Sequence, residues 1–359
     1  MRWRLAACAP LFGLALAGGS SGCASTLTRF PLAEPLWVDD DQQPLTPPPE
    51  EWYSPFIWDG ADESVFRPFA ELWRFELDRE AIDVNALDEV PASSWFTHRL
   101  GRGPLSPEVV ARGACSDADP GVGDDDIRGP FTITRAKPNG ASPGFFVRDA
   151  RGITYLMKPD GGPSAERWGA ADTIGAAVFW AAGYHTPCNR VAFVSRDDFT
   201  LGEGAEARFE DGGRQPLTQA TVDAILSHAL VAPDGRLRVG LSQFVEGRPI
   251  SAWTYDGTWA DDPNDVVPHE HRRELRAIYV LSSWLSHIDS RQENTLASWI
   301  TVGDGGYVRH YVLDFADSLG ATHEWPRLAR RLGYSGYFDL ASPWWSTPAS
   351  PPPDRATAP

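Results

Sequence analysis

The chain has 359 residues, of which 42% are hydrophobic and 11% aromatic, and it carries a net charge of −17. This aromatic content excludes a chain that is disordered throughout, and the length predicts one large domain or two lobes. The negative charge excludes nucleic acid as an expected partner, because such a field repels phosphate backbones.

The first 23 residues have the order of a secretion signal. Two arginines precede an apolar run at 5–17, and small residues at 18–22 lead to Cys23. The run is shorter than the roughly 20 apolar residues that span a bilayer. We therefore expect residues 1–22 to be a signal peptide and Cys23 to carry a lipid, so that the mature chain is an exported, membrane-anchored lipoprotein in the periplasm or at the cell surface. An ordinary cleaved signal is the alternative.

The residues ahead of the first clear strand are interpreted as connecting segments. Residues 23–60 are rich in proline and acids and are typical of a tether, and 61–130 are expected to be an N-terminal extension. Within the extension, the acidic stretch 121–126 is either a solvated turn or a calcium loop. Cys115 and Cys188 remain after export to an oxidising compartment, and we expect them to be disulfide-linked or both buried.

Residues 131–246 predict a small sheet that carries one helix. Strands are expected, from apolar alternation and flanking turns, at 131–134, 145–148, 153–158, 191–194 and 237–245. The second and third of these are joined by a hairpin turn. An Ala-rich helix is expected at 166–182, ended by Gly183.

Residues 247–345 begin with a strong helix signal. Residues 268–286 have proline at the start, acids near the front and an apolar stripe at helical spacing. A polar loop at 287–294 and an apolar stretch at 295–301 follow, and then a strand is expected at 307–315. The proline-rich end, 346–359, is expected to be a disordered tail.

Polar residues that suit phosphoryl transfer follow one another along the chain. Lys158 ends a strand, Asp289 precedes Asn294 by five residues in a polar loop, and Asp314 closes the next strand. Phosphoryl transfer needs a cation on the phosphates, oxygens that hold magnesium and a carboxylate aimed at the attacking hydroxyl. Because side chains alternate along a strand, Leu156 and Lys158 are expected to face the same cleft. The order predicts a metal–nucleotide site.

Six motifs resemble those of a family of bacterial exported proteins, over roughly residues 80–340. They are SSWFTHR at 93–99, GYHTP at 183–187, DPND at 262–265, HEHRRELR at 269–276, HIDSRQENTL at 287–296 and HYVLDF at 310–315. That family is in turn similar to the atypical kinases, which include aminoglycoside phosphotransferases, lipid kinases and spore-coat kinases. The resemblance implies an α+β, two-lobed protein-kinase-like fold, with a small N-lobe β-sheet and one helix at 131–246 and a reduced, mainly helical C-lobe at 247–345.

The resemblance also implies a role for each residue that matches the kinase pattern. Lys158 would bind phosphate, Asp289 would be the catalytic base, Asn294 and Asp314 would be metal ligands, and Arg291 would contact the transferred phosphate. The ligand would be Mg²⁺ or Mn²⁺ with ATP or another nucleoside triphosphate. The acceptor would be an envelope protein, a sugar or a lipid, and the membrane would be met through the lipid anchor alone.

Six further positions are implied for the cofactor site. They comprise two glycines that let the backbone approach phosphates, two acids of which one orients the lysine, and two hinge residues that contact the nucleobase. In that order they are Gly140 and Gly144, Asp172 and its rival Glu166, and Phe244 and Glu246.

Two other interpretations stay open at this point. Ala316 stands where kinases keep a glycine, and the loop before Gly144 is not a full G-x-G-x-x-G, which favours a catalytically inactive, pseudokinase-like binding module of the envelope. Alternatively, His287, Asp289 and His310 are transition-metal ligands, since imidazole and carboxylate suit such ions.

Overall fold

The structure, a computed structural model, describes most of the chain between residues 40 and 319. The described residues are 40–51, 58, 61–66, 69, 81–85, 88–101, 104–118, 127, 129–137, 143–162, 165–208, 213–287 and 289–319. The predictions for the signal peptide, Cys23, the stretch 121–126, Gly140 and the tail at 346–359 lie outside them. Within the described residues, no helix is both long and apolar enough to cross a membrane.

Two of the helices match predicted ones. The α-helices of the described chain are α1 (Pro107–Arg112), α2 (Cys115–Ala118), α3 (Arg167–Ala182), α4 (Gln219–Leu226) and α5 (Arg273–Leu285), with a π turn at Asp62–Phe66 and 3-10 turns at Arg196–Asp198, His269–His271 and Gln292–Asn294. The helices predicted at 166–182 and 268–286 are confirmed as α3 and α5. Helix α5 starts later than predicted because Arg272 is extended, at φ −84° and ψ 127°, and separates it from the preceding 3-10 turn.

The strands form one large and one small sheet. They are β1 (Phe131–Ala136), β2 (Phe145–Arg148), β3 (Thr154–Pro159), β4 (Asn189–Val194), β5 (Phe199–Arg208), β6 (Arg214–Pro216), β7 (Leu237–Gln243), β8 (Arg248–Ser251), β9 (Thr295–Val302) and β10 (Gly305–Val312). The seven-stranded sheet has the order β4-β7-β3-β2-β1-β5-β6, and the three-stranded sheet has the order β10-β9-β8. Strands β1 and β5 are parallel, whereas the other neighbours in the large sheet are antiparallel. The α+β class is confirmed.

The two faces of the large sheet have different surroundings. Phe145, Val147 and Met157 alternate along β2 and β3 and are fully buried in one core. The residues between them project from the opposite face, because side chains alternate along a strand. Leu156 and Lys158 therefore share a face, as predicted. The strands predicted between 131 and 246 are all present, and β5 and β6 extend the same sheet.

Helix α3 connects the large sheet to the residues after 246. Its Phe179 packs in a second core with Ile278 of α5 and with Phe315, which follows β10. Gly175 allows this close approach, because a Cβ at that position would lie 2.6 Å from the Cβ of Phe315. The helix therefore fixes the position of the backbone next to Asp314.

A mainly helical C-terminal lobe is not evident among the described residues from 247 to 319. They form α5 and the small sheet, in which β9 and β10 pair along their whole lengths. The physical reason is composition, because 295–312 is rich in β-branched and aromatic residues, which favour strands. The strand predicted at 307–315 ends at Val312, so Asp314 lies in the bend beyond it.

Residues 40–51, which were expected within the tether, pack on the small sheet. Leu45 and Gly306 exchange two backbone hydrogen bonds, of 2.7 and 3.2 Å. The buried carboxylate of Asp41 accepts hydrogen bonds from the backbone N–H and the hydroxyl of Ser94, at 2.9 and 2.7 Å. The chain is thus attached to the domain at residue 41, well before the predicted boundary at 60.

A disulfide joins Cys115 of α2 to Cys188, the residue before β4. Both residues are buried, at 4% and 8% exposed. Of the two expected alternatives, a disulfide or two buried thiols, the structure contains the disulfide.

Candidate functional site

Lys158 and Asp314 form an ion pair at the centre of the candidate site. The lysine Nζ lies 2.8 Å from the Oδ2 of Asp314, and the side chains are 21% and 32% exposed. Lys158 comes from β3, whereas Asp314 comes from the bend after β10 and has a left-handed backbone with φ 52°. The fold thus brings together two predicted site residues that are 156 positions apart.

Asp172 of α3 is the second acid beside Lys158. Its Oδ1 accepts a hydrogen bond from the backbone N–H of Phe315 at 2.9 Å. Glu166 instead lies exposed at the N-cap of α3, where its backbone N–H donates to the carboxylate of Asp160 at 3.1 Å. Of the two rivals, the structure places Asp172 at the lysine.

Each charge in this group shifts the pKa of the others. Burial opposes the ammonium of Lys158, but the carboxylates of Asp314 and Asp172 outweigh it and raise the lysine pKa. Burial favours the neutral acid at Asp314, yet Lys158 lowers the pKa of this carboxyl below its ordinary value. Burial raises the pKa of Asp172, against the pull of Lys158. Asp314 is therefore an anion at neutral pH, as a metal ligand must be.

Asn294 and Asp289 lie next to Asp314. The backbone N–H of Leu313 donates to the carbonyl of Asn294 at 2.8 Å. The Asn294 Nδ2 donates to the Oδ2 and to the backbone carbonyl of Asp289, at 2.9 and 2.7 Å. With its NH₂ used in this way, the amide has its Oδ1 as the oxygen that can face a cation.

Arg291 contacts Asp289, the predicted catalytic base. Its Nε lies 2.7 Å from the Oδ1 of Asp289, and its Nη1 lies 2.8 Å from Glu293. Burial raises the pKa of Asp289 to about 6, although the charge of Arg291 opposes this shift. A phosphate that used Arg291 would therefore compete with the carboxylates that hold it in the free protein.

Asp289→Asn is expected to raise the free energy of unfolding by about 2 kcal/mol at pH 8 and to leave it nearly unchanged at pH 4. The folded pKa of Asp289, about 6, exceeds the value of about 4 in an unfolded chain. The wild type therefore loses stability as the pH rises from about 4 to about 6, and asparagine does not titrate. Urea unfolding in the presence of a metal chelator measures this difference.

The exposed Asp197→Asn is the matched control and should change little at either pH. An equal effect of Asp289→Asn at pH 4 and pH 8 would contradict the burial of an ionised Asp289.

The two histidines proposed as transition-metal ligands are in separate structural roles. His287 is fully buried beside the rings of Phe179 and Phe315, and burial lowers its pKa to about 4. His310 stacks on Trp95 with a ring separation of 3.4 Å, and its Nδ1 lies 3.0 Å from the Ser94 hydroxyl. In the described parts of the chain, no three His, Cys, Asp or Glu side chains are grouped to hold a metal ion. For these described residues, the interpretation of the two histidines as transition-metal ligands is wrong.

Phe244, the first predicted hinge residue, lies at the end of the sheet face that carries Leu156 and Lys158, which we call the site face. The ring of Phe244 is 5.4 Å from that of Phe146, which pairs with Leu156 across the sheet. These apolar side chains offer a surface for the flat face of a base. Glu246 points elsewhere, because its Oε2 lies 2.6 Å from the Nη1 of Arg309 on β10.

Gly144 has a packing role at the start of β2. A Cβ there would lie 2.5 Å from the carbonyl oxygen of Met157 and 3.5 Å from the Cγ of Lys158. Lys137 was not among the predicted site residues; it directly follows β1, and its backbone N–H donates to the Gly144 carbonyl at 2.9 Å. The amino-acid composition could have indicated this residue, because Lys137 and Lys158 are the only lysines in the sequence.

Comparisons with known proteins give no relative for this chain, as no family model, no curated protein and no solved structure matches it.

Proposed function

We propose that this chain is a kinase-like phosphotransferase of the cell envelope, which binds Mg²⁺ or Mn²⁺ with ATP or another nucleoside triphosphate. In this proposal, residues 131–246 and 247–345 are the two lobes, and the nucleotide lies between them. The acceptor is an envelope protein, a sugar or a lipid headgroup, because a chain with the predicted signal and lipid at Cys23 meets such molecules after export.

The observation that carries the proposal is the ion pair of Lys158 with Asp314. A lysine from a strand and an acid from the bend after a hairpin are joined at 2.8 Å, with Asn294 and Asp289 alongside. This set supplies a cation for phosphates, oxygen donors for a metal and a carboxylate for the attacking hydroxyl.

The protein donors fit a magnesium ion that is held partly by substrate. Asp314 offers an ionised carboxylate and Asn294 an amide oxygen, which is fewer donors than a closed protein site needs. Magnesium keeps several waters and is commonly held by one or two carboxylates together with substrate phosphates. When bound, the ion would neutralise charge on the phosphates, while Asp289 would accept the proton of the acceptor hydroxyl.

A thermal-shift assay on the exported domain tests nucleotide binding directly. ATP, GTP or their non-hydrolysable analogues should raise the melting temperature with magnesium present and should have little effect with a chelator. The absence of any magnesium-dependent shift in the wild type would sink the proposal.

A catalytically silent nucleotide-binding module is the second candidate. It is favoured by the contact between Arg291 and Asp289 at 2.7 Å, which occupies both the predicted base and the predicted phosphate contact. Phosphate transfer from labelled ATP to envelope extracts separates the two candidates. Transfer that is lost in Asp289→Asn supports the enzyme, whereas magnesium-dependent binding without transfer supports the module.

A further inference from the structure

Lysine is used at two positions in this chain, and both belong to the site face of the large sheet. The sequence contains Lys137 and Lys158 beside 30 arginines. Lysine carries a compact ammonium, whereas arginine carries a broad planar fork, so the two are not equivalent at a crowded site.

The register of the first three strands places the two lysines in one row. Ala136 pairs with Phe145, and Phe145 pairs with Met157. One position further along, Lys137 therefore lies opposite Gly144, which lies opposite Lys158. We call these three residues the lysine row. Aligned residues of neighbouring strands project from the same face, so both lysines point to the side opposite the buried Phe145 and Met157.

A β-bulge puts Lys137 on this face. The pairing of β1 with β2 shifts by one residue between Ile133 and Arg135. Ile133 is fully buried in the core, and strict alternation from it would direct residue 137 into the core as well. The bulge reverses the alternation, so that Ala136 enters the core and Lys137 joins the site.

The middle of the lysine row is a glycine that packs closely, because a Cβ there would lie 2.5 Å from the carbonyl oxygen of Met157 and 3.5 Å from the Cγ of Lys158. Neighbouring strands are about 4.8 Å apart, so the two lysine Cα atoms are separated by about 10 Å with a glycine between them. Because Gly144 has no side chain, the row presents only the two lysine side chains to this face of the sheet. A chain of phosphates fits this arrangement, since its successive charges can meet one cation on each side.

The two lysines differ in the charges that balance them. Lys158 is paired with Asp314 at 2.8 Å. For Lys137, no carboxylate of the described residues lies within ion-pair distance, and its side chain is half-buried. Burial and the charge of Lys158 lower the pKa of Lys137 to about 8, against the more distant carboxylates of Asp314 and Asp289. An anion placed between the lysines would stabilise both.

We propose that Lys137 is a second phosphate-binding residue, which contacts one phosphate of the polyphosphate chain while Lys158 contacts another across Gly144. This inference rests on the proposed function and names the group that recognises the length of the phosphate chain. Lys158 alone would contact one phosphate. The second lysine favours ligands that carry two or more phosphates.

Lys137→Met is expected to weaken binding of magnesium–ATP by roughly tenfold to a hundredfold, as loss of one charged hydrogen bond does. Binding of adenosine, which lacks phosphates, should change less than about twofold on the same scale. Lys137→Arg should retain part of the affinity, because the charge is kept. Arg196→Met, which removes an exposed cation paired with Asp223, is the matched control and should bind as the wild type does.

Amine acylation gives a second measurement on the unmodified chain. With two lysines in the sequence, their peptides report separately by mass spectrometry. Magnesium with inorganic tripolyphosphate should slow the acylation of Lys137 several-fold, whereas adenosine should not. Equal acylation of Lys137 with and without tripolyphosphate would overturn the inference.

The outcomes separate this inference from the proposal beneath it. If the wild type gives no magnesium-dependent shift with any nucleotide, the proposed function fails and the inference fails with it. If the wild type binds magnesium–ATP and Lys137→Met binds it equally well, the inference alone is overturned. The same holds if Lys137→Met weakens adenosine and ATP to the same extent, since the lysine would then support the fold and not a phosphate.

Discussion

Asp314→Asn is expected to abolish the magnesium-dependent stabilisation by nucleotide while the domain remains folded. A ligand that binds the native state alone adds about 2.7 kcal/mol at a hundredfold excess over its dissociation constant, and the variant should lose this amount. The substitution removes the ionised oxygen that would face the metal and leaves the shape of the side chain almost unchanged. Asparagine also tolerates the left-handed backbone of this position, φ 52°, better than most residues do.

The controls for this experiment come from the same site and from the surface. Asp289→Asn should keep the magnesium-dependent shift and lose any transfer, because its carboxylate is assigned to the acceptor hydroxyl. Asp197→Asn, an exposed acid, should keep both. If Asp314→Asn retained the full shift, the assignment of Asp314 to the metal would be wrong.

Reduction of the Cys115–Cys188 disulfide is expected to lower the free energy of unfolding by about 4 kcal/mol. The bond closes a loop with a sequence separation of 73 residues, which includes β1, β2, β3 and α3. A cross-link over a loop of this length removes many conformations from the unfolded chain, and the gain grows slowly with loop length.

Urea unfolding with and without reductant measures the effect. In the double variant Cys115→Ala, Cys188→Ala, reductant should change nothing, which controls for effects unrelated to the bond. An unfolding midpoint of the wild type that is the same under both conditions would contradict the prediction.

The hairpin of β2 and β3 and the helix α3 were predictable because their signals are local. The turn at 149–152 and the glycine at 183 mark ends that the structure confirms within one or two residues. Strands β5, β6 and β8 were missed for local reasons as well. After Phe199 and Leu201, strand β5 continues with glycine, alanine and glutamate, which are weak strand formers, and Arg248–Ser251 contains a proline that only an edge strand accepts.

The site was predictable where its residues lie at element ends and unpredictable where strand pairing decides. Lys158, Asp289 and Asp314 follow in an order that suits phosphoryl transfer, and the fold joins the first to the last. Lys137 depends on a one-residue bulge, which shifts every later side chain to the other face. The contact of Arg291 with Asp289 depends on the fold of the loop between α5 and β9, for which the sequence offers no period.

The attachment of Asp41 and Leu45 to the domain limits the distance between a lipid on Cys23 and the candidate site. If Cys23 carries the lipid, 17 residues lie between the anchor and Asp41, whose contact with Ser94 is the first in the described part of the chain. An extended chain of that length spans about 60 Å at most. A phosphate acceptor would therefore have to lie within a shell one or two protein diameters thick above the bilayer, which favours membrane-bound neighbours over molecules that diffuse freely through the envelope.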